Sequence, residues 1–144
     1  MTCYRKSTLN AVNTTAQTLA ANSLIALTSA NVTGQSIAFT AGTTPATLQK
    51  AGLYLVAFNA NLVGTAVGAV TLQLLNNNNE VSGASSTVTT AVGDDYNAEF
   101  STIIEVPCNC CPCTSTANNA NLQIQVQTTG VTVNSANLTV VKLA

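Results

Sequence analysis

Apolar and polar side chains alternate along short segments of the chain, and this pattern predicts β-strands. Residues 121–127 show it most clearly, because Leu122, Ile124 and Val126 are separated by glutamines. Successive side chains of a strand point to opposite faces, so this segment has one buried and one solvated face. Asn, Gly, Ser and Thr separate the segments at spacings typical of a sandwich or barrel, and no helical period persists. The pattern therefore predicts an all-β chain.

Nine strands are predicted, with ends placed to within about two to four residues. They span residues 18–27, 36–39, 47–48, 52–60, 69–75, 85–90, 96–106, 121–127 and 136–142. The four asparagines at 76–79 fall between two predicted strands and are interpreted as a hairpin loop, since Asn tolerates positive φ. We expect an N-terminal arm over residues 1–9 and a single domain over residues 10–144.

Residues 52–58 differ from the other segments because they are apolar at nearly every position. The apolar side chains here are Leu53, Tyr54, Leu55, Val56 and Phe58. A strand covered on both faces has this composition. We predict that this is the innermost strand, with its own core on one side and a neighbouring subunit on the other.

The composition argues against nucleic acid as a partner and in favour of self-association. Charged residues make up 6% of the chain and the formal net charge is −1, which leaves no basic field for a phosphate backbone. Nucleic-acid binding is therefore not expected. A surface so poor in charge gains little repulsion between copies, and this favours obligate self-association.

The chain has no apolar run of about 18 residues, so no membrane span is expected. Asn13, Thr14, Thr15 and Gln17 interrupt the region where a secretory signal would need an apolar core. We expect synthesis in a cytoplasm without a signal peptide, followed by release onto an extracellular assembly.

Residues 51–60, AGLYLVAFNA, resemble the central strand of the tumour-necrosis-factor and complement-head superfamily, whose hallmark is Gly-x-Tyr-x-x-x-Phe. Residues 48–50 supply the usual lead-in, and the resemblance continues to the end of the chain, covering about residues 10–144. It is strongest to bacterial and phage members, such as the terminal domains of exosporium filament proteins and phage head-fibre or decoration proteins. The resemblance implies a ten-stranded antiparallel jelly-roll sandwich, a tight three-fold homotrimer and no catalysis.

Candidate chemistry is sparse. The chain has no histidine, which removes the Ser-His-Asp and Cys-His arrangements. Asp94 and Asp95 are adjacent and could contribute to a weak Ca²⁺ site, but Asp is also a common turn former. Glu99 and Glu105 share a strand face because their spacing is even. No catalytic residue, resident metal or cofactor is expected.

The cysteines are the most distinctive feature of the sequence. They are Cys3, Cys108, Cys110, Cys111 and Cys113. Four thiols within six residues are too compact for an ordinary structural zinc site, which uses separated pairs, although a soft-metal cluster stays open. An odd number of thiols cannot pair completely within one chain, so disulfides between subunits are the leading expectation, with intrachain disulfides as an alternative. In a jelly roll the first strand starts at the pole where this loop lies, which puts Cys3 near it.

These observations favour a non-enzymatic, trimeric structural subunit of an extracellular bacterial surface assembly such as a spore surface layer, an appendage or a fibre, cross-linked through the cysteine loop. One alternative is a phage virion decoration or head-fibre protein that binds a cell-surface or glycan ligand. Another is a metal-binding module that uses the cysteine loop.

Overall fold

The structure is a computed structural model that describes residues 6–108 and 119–144. These residues form eleven strands and no helix, and hence no helix long and apolar enough to cross a membrane. The strands are β1 (Thr8–Asn13), β2 (Gln17–Leu19), β3 (Ser29–Thr33), β4 (Ile37–Phe39), β5 (Ala46–Leu48), β6 (Gly52–Gly64), β7 (Gly68–Asn76), β8 (Asn79–Thr90), β9 (Asp95–Val106), β10 (Ala120–Gln127) and β11 (Val131–Lys142).

The strands build two antiparallel sheets. Sheet A has the order β3-β1-β11-β6-β9, and the short β2 pairs with one end of β11. Sheet B has the order β4-β5-β10-β7-β8. Neighbours in each sheet are mostly distant in sequence, so the chain passes repeatedly from one sheet to the other, as in a jelly roll. The predicted all-β antiparallel sandwich is confirmed.

The core lies between the sheets and is built by the alternation seen in the sequence. Along β10, Leu122, Ile124 and Val126 are at most 2% exposed and face inward. From sheet A, Tyr54 and Phe58 enter the same core, and the ring of Phe58 packs against Phe100 with centroids 5.5 Å apart. Burying each such side chain contributes about 1.5–3 kcal/mol, which is the main stabilising term of the sandwich.

The asparagine run forms a tight hairpin, as predicted. β7 ends at Asn76 and β8 begins at Asn79, so the loop consists of Asn77 and Asn78 alone. Both have positive φ, 51° and 65°, which is the backbone of the two-residue turns that match strand twist. The Asn77 N–H and side chain also hydrogen-bond to Asn121 and Asn119, which fixes the hairpin against β10.

The prediction of one strand over residues 18–27 is wrong. Only Gln17–Leu19 pairs in sheet A, and the chain then crosses to sheet B, where the N–H groups of Asn22 and Ile25 donate to Val126 and Ile124 carbonyls. Ile25 and Leu27 are buried by this crossing, and the segment makes only isolated bridges, such as Leu27 with Thr43, so their apolar character reflects packing more than a continuous strand.

Two strands were not predicted. β1 begins at Thr8, two residues before the expected start of the domain, and β3 is a mostly polar edge strand. β1 carries only Leu9 and Ala11 as inward apolar side chains, which is too weak a pattern to stand out among polar residues. The short β2 overlaps the segment 18–27, so it was not predicted as a separate strand.

Candidate functional site

The outer face of sheet A carries an apolar patch near one end of the sandwich. Leu53 and Leu55 of β6 are 39% and 38% exposed, and Ile103 of β9 is 58% exposed. Leu55 pairs directly with Ile103 in the β6–β9 ladder and with Val141 in the β6–β11 ladder. We call Leu53, Leu55 and Ile103 the outer apolar patch.

The structure divides the predicted interface residues into two sets. Tyr54, Val56 and Phe58 point inward and are at most 2% exposed, so they belong to the chain's own core. Leu53 and Leu55 point outward, where another molecule can reach them. Residues 53–58 are apolar at nearly every position because both faces of this part of β6 are apolar. One face packs in the core, and the other is the exposed outer face of sheet A.

The same face becomes polar toward the other end of β6. Asn59 and Asn61 follow the leucines on the outward side, and Glu99 of β9 pairs with Asn59. The side-chain amide of Asn61 donates to the Ser135 hydroxyl on β11 at 3.0 Å. Apart from Glu105, which pairs with Leu53, the outer face of sheet A is therefore apolar at one end, and it is rich in amides at the other.

Four strand ends meet at the end that carries the outer apolar patch. The start of β1, the end of β11, the start of β6 and the end of β9 lie side by side, since Thr8 pairs with Val141, Val141 with Leu55 and Leu55 with Ile103. Cys108 is exposed and lies two residues beyond the end of β9. We call this end the cysteine pole.

Cys108 is the one candidate cross-linking residue that the structure describes. The other four, Cys3, Cys110, Cys111 and Cys113, lie outside the described residues. The strand order does bring the start of β1 and the end of β9 to the same pole, as the sequence argument required. The cross-links themselves stay a prediction.

A buried hydroxyl network ties the cysteine pole together. The Tyr54 hydroxyl donates to the Lys50 carbonyl oxygen at 2.6 Å and also hydrogen-bonds to Ser36. Burial raises the pKa of Tyr54, and these two hydrogen bonds offset part of the rise. The Ser36 N–H donates to Ser7 Oγ at 3.0 Å. Sequence reasoning missed the roles of Ser7 and Ser36, since isolated serines carry no periodic signal.

The acidic candidates lie apart from the cysteine pole or on open surface. Asp94 and Asp95 are exposed in the turn before β9 and at its first residue, where Gly93 has a φ of 82°. Glu99 and Glu105 both face outward on sheet A, as their spacing predicted. Within residues 6–108 and 119–144, no group of three or more His, Cys, Asp or Glu residues is placed to hold a metal ion.

Comparison with known proteins places this geometry in a structural class. No protein-family model matches the sequence, and no curated protein matches it either. The globular domain of zebrafish complement 1qA has a TM-score of 0.70 at 11% identity, over 97% of this chain and 98% of that one. Eiger TNF from S. frugiperda has a TM-score of 0.67 at 8% identity, over 96% and 92%.

The chain is also similar in structure to the vertex protein P5 of PRD1, with a TM-score of 0.56 at 17% identity over 96% of this chain and 97% of that one. At such identities the likeness establishes the fold alone. The two five-stranded paths of sheets A and B, and a similarity that extends over nearly the whole chain, agree on one class. The chain has the antiparallel jelly-roll fold of the tumour-necrosis-factor and complement-head superfamily.

Proposed function

We propose that this chain is a non-enzymatic structural subunit that works as a homotrimer in an extracellular bacterial surface assembly, such as a spore surface layer, an appendage or a fibre. The observation that carries the proposal is the outer apolar patch, where Leu53, Leu55 and Ile103 stand exposed together on one sheet face. A cluster of large apolar side chains on a folded surface marks an association site.

The position of the patch favours a second copy as its partner. It lies on β6 and β9, at the side of sheet A opposite to the edge strand β3. A face that mixes leucines at one end with amides at the other can exclude water at its apolar end and hydrogen-bond at its polar end. The low charge of the chain, 6%, removes the repulsion that would otherwise oppose contact between identical surfaces.

The cysteines add covalent cross-links in this proposal. Cys3 and the loop at 108–113 would join neighbouring subunits at the cysteine pole. Support comes from the odd number of five cysteines and from the strand order, which brings the start of β1 and the end of β9 to one end.

A second candidate function is that of a virion protein that binds a host surface. It is favoured by the likeness to the PRD1 vertex protein P5. In this case the loops at the end opposite to the cysteine pole would contact a cell-wall or glycan ligand. Labelled protein that binds intact bacterial cells, and is displaced by unlabelled protein, would favour this second function over the first.

The proposed trimer is tested by light scattering on the native protein and on a Leu55→Asp variant. The wild type should have the mass of three chains, and the variant should dissociate, because three carboxylates would be placed in the apolar contact. Val92→Asp is the control, since Val92 is 68% exposed and lies in the loop before β9, at the opposite end of the sandwich from the outer apolar patch. A monomeric wild type, or a Leu55→Asp variant that stays trimeric, would overturn the proposal.

A further inference from the structure

The described charges are distributed unequally between the two ends of the sandwich. Lys6, Lys50 and Lys142 all lie at the cysteine pole, because the Lys142 N–H donates to Ser7 and the Lys50 carbonyl accepts from Tyr54. Lys6 and Lys50 are exposed, and Lys142 is half-buried. Every lysine of the chain is therefore at one end.

The opposite end carries Asp94 and Asp95 and none of the described cations. The loops at residues 65–67 and 91–94 lie here and are tied to each other through Gly64, and the Thr65 hydroxyl donates to Gly130 in the neighbouring turn at residues 128–130. The Gly93 N–H donates to the Gly64 carbonyl at 2.9 Å, and the Gly64 N–H donates to the Asp94 carbonyl at 3.1 Å. We call this end the acidic pole.

The acidic pole also presents the two most exposed large apolar side chains of the described residues. Val67 is 79% exposed and Val92 is 68% exposed, one on each loop. An apolar centre beside charged groups is the usual make-up of a protein–protein contact. Because the backbone hydrogen bonds of Gly64 connect the two loops, both valines and both aspartates lie on one surface.

The remaining carboxylates do not cancel this polarity. The backbone of Glu80 pairs with Leu75 and so lies nearer the cysteine pole. Its carboxylate, however, accepts a hydrogen bond at 2.7 Å from the side-chain amide of Gln127, the last residue of β10. Glu99 and Glu105 face outward on sheet A. Glu105 pairs with Leu53 and so lies at the cysteine pole, where it offsets one lysine and leaves the lysines in excess. β6 has 13 residues, which puts the poles about 40 Å apart. This distance is several times the screening length of about 8 Å at physiological salt, so the charges at one pole are screened from those at the other.

We propose that the acidic pole docks onto the cysteine pole of another copy, so that trimers stack head to tail into a filament. This inference rests on the proposed trimer, which would bring three copies of each pole to bear on one contact. A contact between two different surfaces does not close on itself and so extends without limit unless rotation forms a ring. A three-fold axis that runs through both poles gives a straight stack.

The stack differs physically from the cysteine cross-links. The acidic pole has no cysteine among its described residues, so disulfides would join chains within a trimer, whereas charge would join trimers. Stacking should weaken with salt and resist reductant, because screening affects exposed charges and leaves disulfides intact. The two interactions can therefore be separated in one preparation.

Sedimentation velocity in the presence of reductant tests the stack. Species larger than a trimer should be present at about 10 mM salt, where the screening length is about 30 Å, and absent at about 1 M, where it is about 3 Å. The double variant Asp94→Asn/Asp95→Asn should lose these species at low salt. Glu80→Gln is the matched control, since it removes a carboxylate from sheet B, and it should retain them.

Charge reversal provides a stricter test. Asp94→Lys/Asp95→Lys makes both poles basic, and Lys6→Glu/Lys50→Glu makes the cysteine pole acidic, so neither variant should stack alone. A mixture of the two variants should form species larger than a trimer again. Large species that ignore salt, or a mixture that stays unstacked, would overturn the inference. Salt-sensitive stacks built from monomers would overturn the proposed trimer instead and leave the docking of poles intact.

Discussion

The side-chain amide of Gln73 lies 2.9 Å from the carbonyl oxygen of Val81 and fills a bulge in the edge strand β8. The register shifts here, since Gln73 pairs with Ser85 whereas Leu75 pairs with Glu80. The same amide nitrogen lies 3.0 Å from the Leu74 carbonyl and 3.3 Å from the Ala84 carbonyl. Gln73 is 7% exposed although it sits on the outer side of sheet B.

Replacing Gln73 with Leu should destabilise the domain, because it removes the donor to these carbonyls while keeping a side chain of similar size. Leaving a buried acceptor without a donor costs about 1–3 kcal/mol. For a chain of this length each kcal/mol lowers the melting temperature by about 2–4 °C. Thermal unfolding followed by circular dichroism measures the shift. Gln125→Leu on the neighbouring strand β10 is the control, and an equal loss in both variants would contradict the bulge argument.

The limits of sequence reasoning are visible in the same strand. β10 and β6 could be predicted because alternation, or continuous apolar character, persists over seven or more residues. Gln73 could not be recognised as buried, since its burial depends on a bulge four residues long in the partner strand. The division of β6 into inward Val56 and outward Leu55 also needed the register, because both residue types are equally apolar.

The candidate site shows a similar division. The strand order placed the start of β1 beside the end of β9, and this could be argued from the direction of successive strands. The collection of Lys6, Lys50 and Lys142 at one pole could not, because the three lysines are scattered in sequence. Distant residues come together only through strand pairing, which a single sequence does not display.

Tyr54 should make stability depend on alkaline pH. Its pKa is raised above 10.0 in the folded chain, so the folded state favours the protonated phenol. This contribution is fully present below the unfolded pKa and is lost as the pH rises above about 10 through the folded pKa. Tyr54→Phe should be less stable by about 0.5–1.5 kcal/mol at pH 8, since it loses the bond to Lys50. The difference from wild type should shrink above pH 10.

Urea unfolding at pH 8, 9, 10 and 11 measures this difference. Tyr96→Phe is a useful control, because it also removes a phenol hydroxyl, here the acceptor of the Ala91 N–H at the other pole. A Tyr54→Phe variant whose deficit is the same at every pH would show that ionisation of this tyrosine is not linked to folding.

Gly34 and Gly42 should respond differently to the same substitution. Both have positive φ, 76° and 84°, so alanine is strained at either position. A Cβ at Gly34 would also lie 2.8 Å from Ser7 Cα, whereas a Cβ at Gly42 meets nothing within 4 Å. Gly34→Ala should therefore lower the melting temperature more than Gly42→Ala, and the shared backbone strain cancels in the comparison. Equal losses would show that Ser7 moves aside freely.

The cysteine cross-links should hold chains together under denaturing conditions without being needed for the fold. A domain of this length buries about 68–70% of its unfolded surface, so its core suffices for folding. Denaturing gels should show linked chains without reductant and single chains with it, and Cys3→Ser should lower the linked fraction sharply. The native mass should not change with reductant, because the outer apolar patch holds the subunits. Mass spectrometry that finds all five thiols reduced or metal-bound in the native protein would contradict the cross-link and return the cysteine loop to the metal-binding interpretation.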